Sequence, residues 1–176
     1  MPHIVATAAL ALGAEMLLCP SLPAAGRAAA ASAWPRVLIP DAISAGAVRW
    51  ALAGASQWLA DGGCQSVFSQ FRDSSGRPLD EKLTEAGQTA QDYLALIFFS
   101  DGSGEAPCRE RDSLAVTTPG SRVVWVCGRQ FERAWRADPR QAQAVIIHEA
   151  LHTLGLGENP PSSVTITTAV LSRCGR

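Results

Sequence analysis

Two histidines four residues apart, with a glutamate beside the first, are the residues of this chain best suited to chemistry. His148, Glu149 and His152 form an H-E-x-x-H pattern, in a sequence that contains only three histidines. On an α-helix, side chains four apart lie on the same face, so both imidazoles point the same way. Two neighbouring imidazoles can bind a zinc ion, with Glu149 placed to handle a proton of water bound at an open coordination position. The pattern therefore predicts a catalytic metal centre.

A catalytic zinc site needs a third protein ligand besides the two histidines. Downstream of His152 the sequence offers one carboxylate, Glu158, and no further histidine or aspartate. Gly155 can adopt the left-handed conformation that reverses the chain where a helix ends. We therefore expect His148, His152 and Glu158 to hold Zn²⁺.

The helix that carries this pattern should begin at Asp138 and end at Gly155. Aspartate is a favoured N-cap, and Pro139 suits the first turn, where a backbone amide has no helical partner. Apolar residues then recur on what should be the buried surface: Ala142, Val145, Ile146, Ala150 and Leu154. These signals predict a helix of about fifteen residues, a usual length in globular proteins.

Apolar patterns elsewhere predict the elements that support this helix. A helix capped by Asp41 should end at Gly62-Gly63, a short helix should cover residues 131–136, and a C-terminal helix residues 162–172. We predict strands at residues 65–72, 93–99, 114–118 and 123–126. The second of these is continuously apolar, which is typical of a central strand buried on both faces. The predicted fold class is α+β: a mixed sheet packed against an N-terminal helix and the H-E-x-x-H helix, with a short C-terminal helix.

The first 33 residues have the features of an export signal. Residues 4–18 are mostly Ala, Leu and Val, and residues 28–33 form a small-residue run that ends in the A-x-A form of a signal-peptidase site. Glu15 and the absence of an early Lys or Arg depart from the usual pattern, and a buried Ala-rich helix is the alternative. We predict a signal peptide at 1–33 and one domain at 34–176, secreted or periplasmic and without a membrane anchor.

Four cysteines remain after that segment: Cys64, Cys108, Cys127 and Cys174. An even number in an exported protein indicates disulfides, and four cysteines allow three pairings. Cys108 and Cys127 flank a predicted strand pair, which favours Cys108–Cys127 and, by elimination, Cys64–Cys174. A four-thiolate zinc site would need close C-x-x-C pairs, which this sequence does not have.

Length and charge narrow the classes of partner. The chain has 176 residues, enough for one domain with a substantial core, and a formal net charge of −1. Such a balance gives no field that would attract nucleic acid or an anionic membrane. We expect no nucleic-acid partner and a monomeric protein.

The stretch from His148 to Glu158 resembles the extended zinc signature of the metzincin metallopeptidases, H-E-x-x-H-x-x-G-x-x-H/D. Gly155 matches the signature glycine, and Glu158 stands where the family has histidine or aspartate. Metzincins also have a methionine turn beneath the metal, and this sequence has no methionine after Met16. The chain thus resembles a minimal zincin without that turn.

The resemblance implies a secreted zinc metallopeptidase, of the endopeptidase type, that hydrolyses a peptide or protein. Zinc would activate water and polarise the peptide carbonyl, and Glu149 would act first as general base and then as general acid. Two other functions stay open: a noncatalytic secreted binding module with a structural or relic zinc site, and a zinc hydrolase that acts on a non-peptide amide.

Overall fold

The computed structural model describes residues 34–175 of the chain. The export signal predicted for residues 1–33 lies outside the described residues and stays a prediction. Among the described residues, no helix has the length and apolar content needed to cross a membrane.

Helices surround a small sheet in the described part of the chain. They are α1 (Ala42–Ala60), α2 (Gln65–Gln70), α3 (Leu79–Glu85), α4 (Ala90–Leu94), α5 (Gly128–Ala137), α6 (Pro139–Thr153) and α7 (Ser163–Arg173), with a 3-10 helix at Pro107–Arg109. Asp41 and Ser162 cap α1 and α7 by accepting hydrogen bonds from backbone amides of the first turn. The N-terminal helix, the short helix and the C-terminal helix expected from the sequence are therefore confirmed, with small shifts of their ends.

The sheet contains four strands in the order β1-β2-β4-β3. They are β1 (Arg36–Leu38), β2 (Phe98–Asp101), β3 (Ala115–Val116) and β4 (Val123–Val126). β1, β2 and β4 run parallel, whereas β3 pairs antiparallel with β4 and forms an edge. The mixed sheet and its surrounding helices confirm the α+β class.

α1 and α6 pack against each other within the core. Gly54 lets the two helices approach closely, because a Cβ at that position would overlap the side chain of Gln143. Ile146, Ile147 and Leu151 of α6 are fully buried, and each contributes about 1.5–3 kcal/mol from the burial of its side chain. From Ala144 to Thr153 every residue of α6 is buried. The polar residues of the H-E-x-x-H pattern are consequently held inside the protein.

The strand predicted for residues 65–72 is wrong, because this segment forms α2. Val67, Phe68 and Phe71 are all buried, and they are spaced at i, i+1 and i+4. That spacing places them on one face of a helix as readily as an alternating pattern would place residues on one face of a strand. The turn that follows, residues 73–76, closes with an amide of Gly76 that donates to the Asp73 carbonyl.

The strand predicted for residues 93–99 is correct only at its end. Tyr93 and Leu94 are the last residues of α4, and β2 begins at Phe98. Thr89 and Asp92 form a capping box, in which each side chain accepts from the backbone amide of the other, and this starts a helical turn. A short apolar run cannot by itself distinguish a buried helical turn from a buried strand. β2 nevertheless occupies the predicted central position in the sheet.

Both predicted disulfides are present. Cys64–Cys174 joins the residue before α2 to the end of α7, with the two Cα atoms 4.4 Å apart. Cys108–Cys127 joins the 3-10 helix to the end of β4, with a Cα separation of 5.0 Å. Cys64–Cys174 therefore ties α7 to the start of α2, and Cys108–Cys127 ties the 3-10 helix to the sheet.

Candidate metal centre

Hydrogen bonds at both ends define where α6 begins and ends. At its start the Asp138 side chain accepts hydrogen bonds from the backbone amides of Arg140 and Gln141, at 2.9 and 3.3 Å. At its end Gly155 has a φ of +105°, a conformation that favours glycine, and its amide donates to the His152 carbonyl at 2.8 Å. The helix thus spans fifteen residues between the two predicted signals.

The structure brings together the three residues predicted to bind metal. One donor atom each of His148, His152 and Glu158 lies within 4.8 Å of the others, and such a group could hold a metal ion. We call these three residues the metal-binding group. Both histidines are buried, whereas Glu158 is exposed at the surface.

The donor atoms of the metal-binding group suit a cation. Nε2 of His148 lies 2.9 Å from Nε2 of His152. Two nitrogen lone pairs repel each other at that distance, so a positive charge or a shared hydrogen has to lie between them. Two imidazoles and one carboxylate are also the ligand set of known catalytic zinc sites. The residues therefore fit zinc, although their geometry does not identify the ion.

The outer nitrogen of each imidazole has its own partner. Nδ1 of His152 lies 2.8 Å from the carbonyl oxygen of Leu156. A carbonyl only accepts, so this Nδ1 carries the hydrogen and Nε2 presents its lone pair to the metal-binding group. Nδ1 of His148 lies 2.9 Å from Oγ1 of Thr167 on α7.

Glu149 lies beside the metal-binding group in a nearly water-free position. Its side chain is buried, and Oε2 has no hydrogen-bond partner within the described structure. Burial raises the pKa of Glu149 to about 7; the Thr117 hydroxyl opposes this rise, and the Glu158 carboxylate adds to it. Thr117 acts on the charge without a well-formed hydrogen bond, since its Oγ1 also lacks a partner. A carboxyl group with this pKa can accept and release a proton near neutral pH.

The imidazole of His148 is neutral near pH 7. Burial, followed by the effect of His152, lowers the pKa of His148 to about 3. A histidine must be neutral to donate a lone pair to a metal ion. The buried environment therefore favours the state of His148 that binds metal.

These residues face a cleft of about 490 Å³ between α6 and the edge strand β3. Its wall includes residues 112–117, and the start of α7 closes the other side. Four carboxylates line it, those of Glu110, Asp112, Glu149 and Glu158, and no lysine or arginine occurs among its described lining residues. The outer edge of β3 pairs with no strand within residues 34–175.

No motif or spacing in the sequence indicates that two threonines belong to the site. Thr117 lies just after β3, and Thr167 lies one residue beyond the buried Ile166 of α7. Each reaches the site through long-range packing between elements, which residue spacing in the sequence does not reveal.

Comparison with known proteins assigns no family to the chain. No protein-family model, curated protein or solved structure matches it. The functional interpretation therefore rests on the residues of the site.

Proposed function

We propose that this chain is a secreted zinc-dependent metallopeptidase of a minimal zincin type, with His148, His152 and Glu158 as zinc ligands and Glu149 as general base. One observation carries the proposal: the donor atoms of the metal-binding group lie within 4.8 Å of one another, and the same cleft holds the buried carboxyl group of Glu149, whose Oε2 has no partner in the described structure. A purely structural zinc site has no use for that carboxyl group. Its burial costs stability, which is understandable if the group performs chemistry.

Zinc, when bound, supplies Lewis acidity that polarises a carbonyl oxygen and lowers the pKa of water. Glu149 takes a proton from the attacking water and then gives it to the amine that leaves the cleaved bond. In the metal-free protein burial raises its pKa to about 7, and the positive charge of a bound zinc ion would lower that value. Thr117 lies where its hydroxyl can favour the carboxylate form of Glu149.

The open edge of β3 supports a peptide as the substrate. An extended chain can pair with the free backbone groups of an edge strand, a common way in which proteins bind peptides. Glu110 and Asp112, the carboxylates of the cleft that take no part in metal binding or proton transfer, favour substrates that carry lysine or arginine near the cleaved bond. These features favour a peptide over a small non-peptide amide.

Export is part of the same proposal. Two disulfides join cysteines far apart in the sequence, and such bonds persist in oxidising compartments. Together with the export signal predicted for residues 1–33, they support a secreted or periplasmic location.

The test compares the wild-type protein with Glu149→Gln. We expect both proteins to bind zinc, and we expect the variant to cleave peptides about 10²–10⁴-fold more slowly, the usual contribution of a general base. Glu81→Gln is the matched control, because Glu81 is an exposed residue of α3 outside the cleft. Zinc content is measured by elemental analysis, and cleavage with a peptide library rich in Lys and Arg.

Each of the other outcomes assigns a different function. Full activity of Glu149→Gln would remove Glu149 from the reaction. A wild-type protein that binds zinc but cleaves no peptide would be the noncatalytic binding module, unless it hydrolyses acylated amines. Hydrolysis of acylated amines alone would identify a hydrolase of non-peptide amides.

A further inference from the structure

We propose that Thr167 is a positioning residue for the metal-binding group, and that it acts through the ring of His148. Oγ1 of Thr167 lies 2.9 Å from Nδ1 of His148, within hydrogen-bond distance. This inference rests on metal binding by His148, His152 and Glu158, and it does not require peptidase activity.

The helix α7 is built to hold this hydroxyl in place. Ile166 and Val170, one turn apart, are fully buried in the core. Thr167 follows Ile166 and lies on the side of α7 that faces the cleft. Ser163, one helical turn before Thr167, lines the cleft as well. A threonine side chain has only one rotatable bond to its hydroxyl, so the packing of α7 sets the position of Oγ1.

Both ends of α7 are anchored. The Ser162 side chain caps its start, and Cys174 at its end is bonded to Cys64. Beyond the helix, the guanidinium of Arg140 donates to the carbonyl of Gly175, which ties the segment to the start of α6. The distance between Thr167 and His148 is therefore set by two packed helices rather than by a free surface segment.

The hydroxyl matters because an imidazole binds metal through one nitrogen only. When Nε2 of His148 gives its lone pair to a metal, its hydrogen is on Nδ1, and Thr167 accepts that hydrogen. The Leu156 carbonyl does the same for His152. Partners of this kind orient the ring and increase its basicity, and their removal typically lowers metal affinity about 10–100-fold.

A hydroxyl can also donate a hydrogen bond, whereas a carbonyl can only accept one. When a hydrogen of His148 lies between the two Nε2 atoms, the hydrogen of His152 is on Nδ1, where the Leu156 carbonyl accepts it. Nδ1 of His148 then has a lone pair, and the Thr167 hydroxyl can donate to it. Thr167 thus satisfies His148 in both tautomers, so a metal ion can replace the shared hydrogen without leaving a buried nitrogen unpaired.

The experiment measures zinc affinity by competition with a chromophoric chelator. Thr167→Val removes the hydroxyl with little change in shape, Thr167→Ser keeps it, and Thr168→Val makes the same change at an exposed position of α7. We expect the zinc dissociation constant to rise about 10–100-fold in Thr167→Val. It should stay near the wild-type value in Thr167→Ser and Thr168→Val. Thermal melting of each metal-free variant separates a loss of metal affinity from a loss of folding.

Several results would overturn the proposal. Wild-type affinity in Thr167→Val, equal losses in both valine variants, or a failure of Thr167→Ser to retain affinity would each contradict it. Nitrogen NMR of the wild-type side chains provides a test that needs no variant. We expect His148 to carry its hydrogen on Nε2 in the metal-free protein and on Nδ1 after zinc is added. Hydrogen on Nδ1 in both states would disprove the change of tautomer.

Discussion

Two groups of polar side chains lie against the last turn of α6, and they differ in how completely their hydrogen bonds are satisfied. On one side, Lys82 lies 3.1 Å from the Asp73 carboxylate and donates to the Leu154 carbonyl at 2.6 Å. Asp73 also accepts from the backbone amides of Ser75 and Arg77. We call Asp73 and Lys82 the ion pair. It places a positive charge at the C-terminal end of α6, where the helix dipole favours one.

On the other side lie the metal-binding group and Glu149. Oε2 of Glu149 and Oγ1 of Thr117 are buried without partners, and the Nε2 atoms of the two histidines face each other. An unsatisfied buried polar atom costs about 1–3 kcal/mol. The comparison shows that the ion pair stabilises the fold, whereas the metal-binding side accepts a cost that a ligand can remove.

Gly155 lies between the two groups. A Cβ added there would lie 3.0 Å from Nζ of Lys82 and 3.3 Å from Cβ of Asp73. The backbone also turns at Gly155 before Leu156 pairs with Asp73 and before the chain reaches Glu158. One residue therefore affects both the ion pair and the third ligand of the metal-binding group.

Among the effects that do not depend on pH, the largest on stability is expected from Gly155→Ala. The positive φ and the close approach of Lys82 should together lower the free energy of unfolding by about 3 kcal/mol. Zinc affinity should fall as well, since Glu158 follows the same turn. Gly157→Ala is the control, because a Cβ at Gly157 meets no atom within 4 Å. Equal urea denaturation midpoints for the two variants would contradict the role of this turn.

A smaller loss is expected from Lys82→Met. The Leu154 carbonyl and the Asp73 carboxylate would lose their shared donor, which should lower the free energy of unfolding by about 2 kcal/mol. Zinc affinity of the folded variant should remain near the wild-type value, because Lys82 is not among the residues that line the cleft. Arg136→Met is the control, since Arg136 is an exposed residue of α5 whose ion pair with Glu132 lies outside this group. If zinc affinity falls as much as stability, the two groups are not separable.

A third effect, which is absent below pH 4.5, appears in the pH dependence of stability of the metal-free protein. Glu149 has a pKa of about 7 in the folded state against an ordinary value of 4.5. Its contribution to stability is therefore fully present below pH 4.5 and is lost as the pH rises through about 7. Glu149→Gln has no such loss, so its stability relative to wild type should increase over that window by at most about 1.4 kcal/mol per pH unit.

Urea denaturation at a series of pH values measures this difference, and the lowered pKa of His148 cancels because both proteins contain it. A difference independent of pH would mean that Glu149 ionises normally.

The contribution of the ion pair to stability changes with pH in the opposite sense. The Ser75 hydroxyl and then Lys82 hold the pKa of Asp73 well below its usual range, so its contribution is present above pH 3.8 and lost in acid.

The parts of the fold that could be predicted from the sequence have local causes. Asp138 and Pro139 start α6 and Gly155 ends it, through backbone groups only a few residues away. The relation of His148 to His152 follows from helix geometry alone. Cys108–Cys127 was predicted because the two cysteines flank a strand pair, and Cys64–Cys174 followed by elimination among four cysteines.

The errors have physical reasons too. In residues 65–72 the buried side chains fit a helix and a strand equally well, and packing against the core decides between them. The hydrogen bond from Lys82 to the Leu154 carbonyl was not predicted, because the two are 72 residues apart in sequence. The contact of Thr167 with His148, which joins α7 to α6, was not predicted either. Contacts of that kind depend on how helices pack, which a single sequence does not show directly.

The Cys64–Cys174 bond closes a covalent ring, since its two cysteines are separated by 110 residues. The metal-binding group, Glu149 and the other disulfide all lie inside that ring. A single cut of the backbone anywhere within it produces two pieces that stay joined by the disulfide. A molecule cut once within this ring therefore keeps α7 and Thr167 attached to the metal-binding group. On a gel run without reductant such a molecule runs as one species, and only reduction separates the two pieces. An intact backbone and an intact metal-binding group are therefore separate properties of the protein.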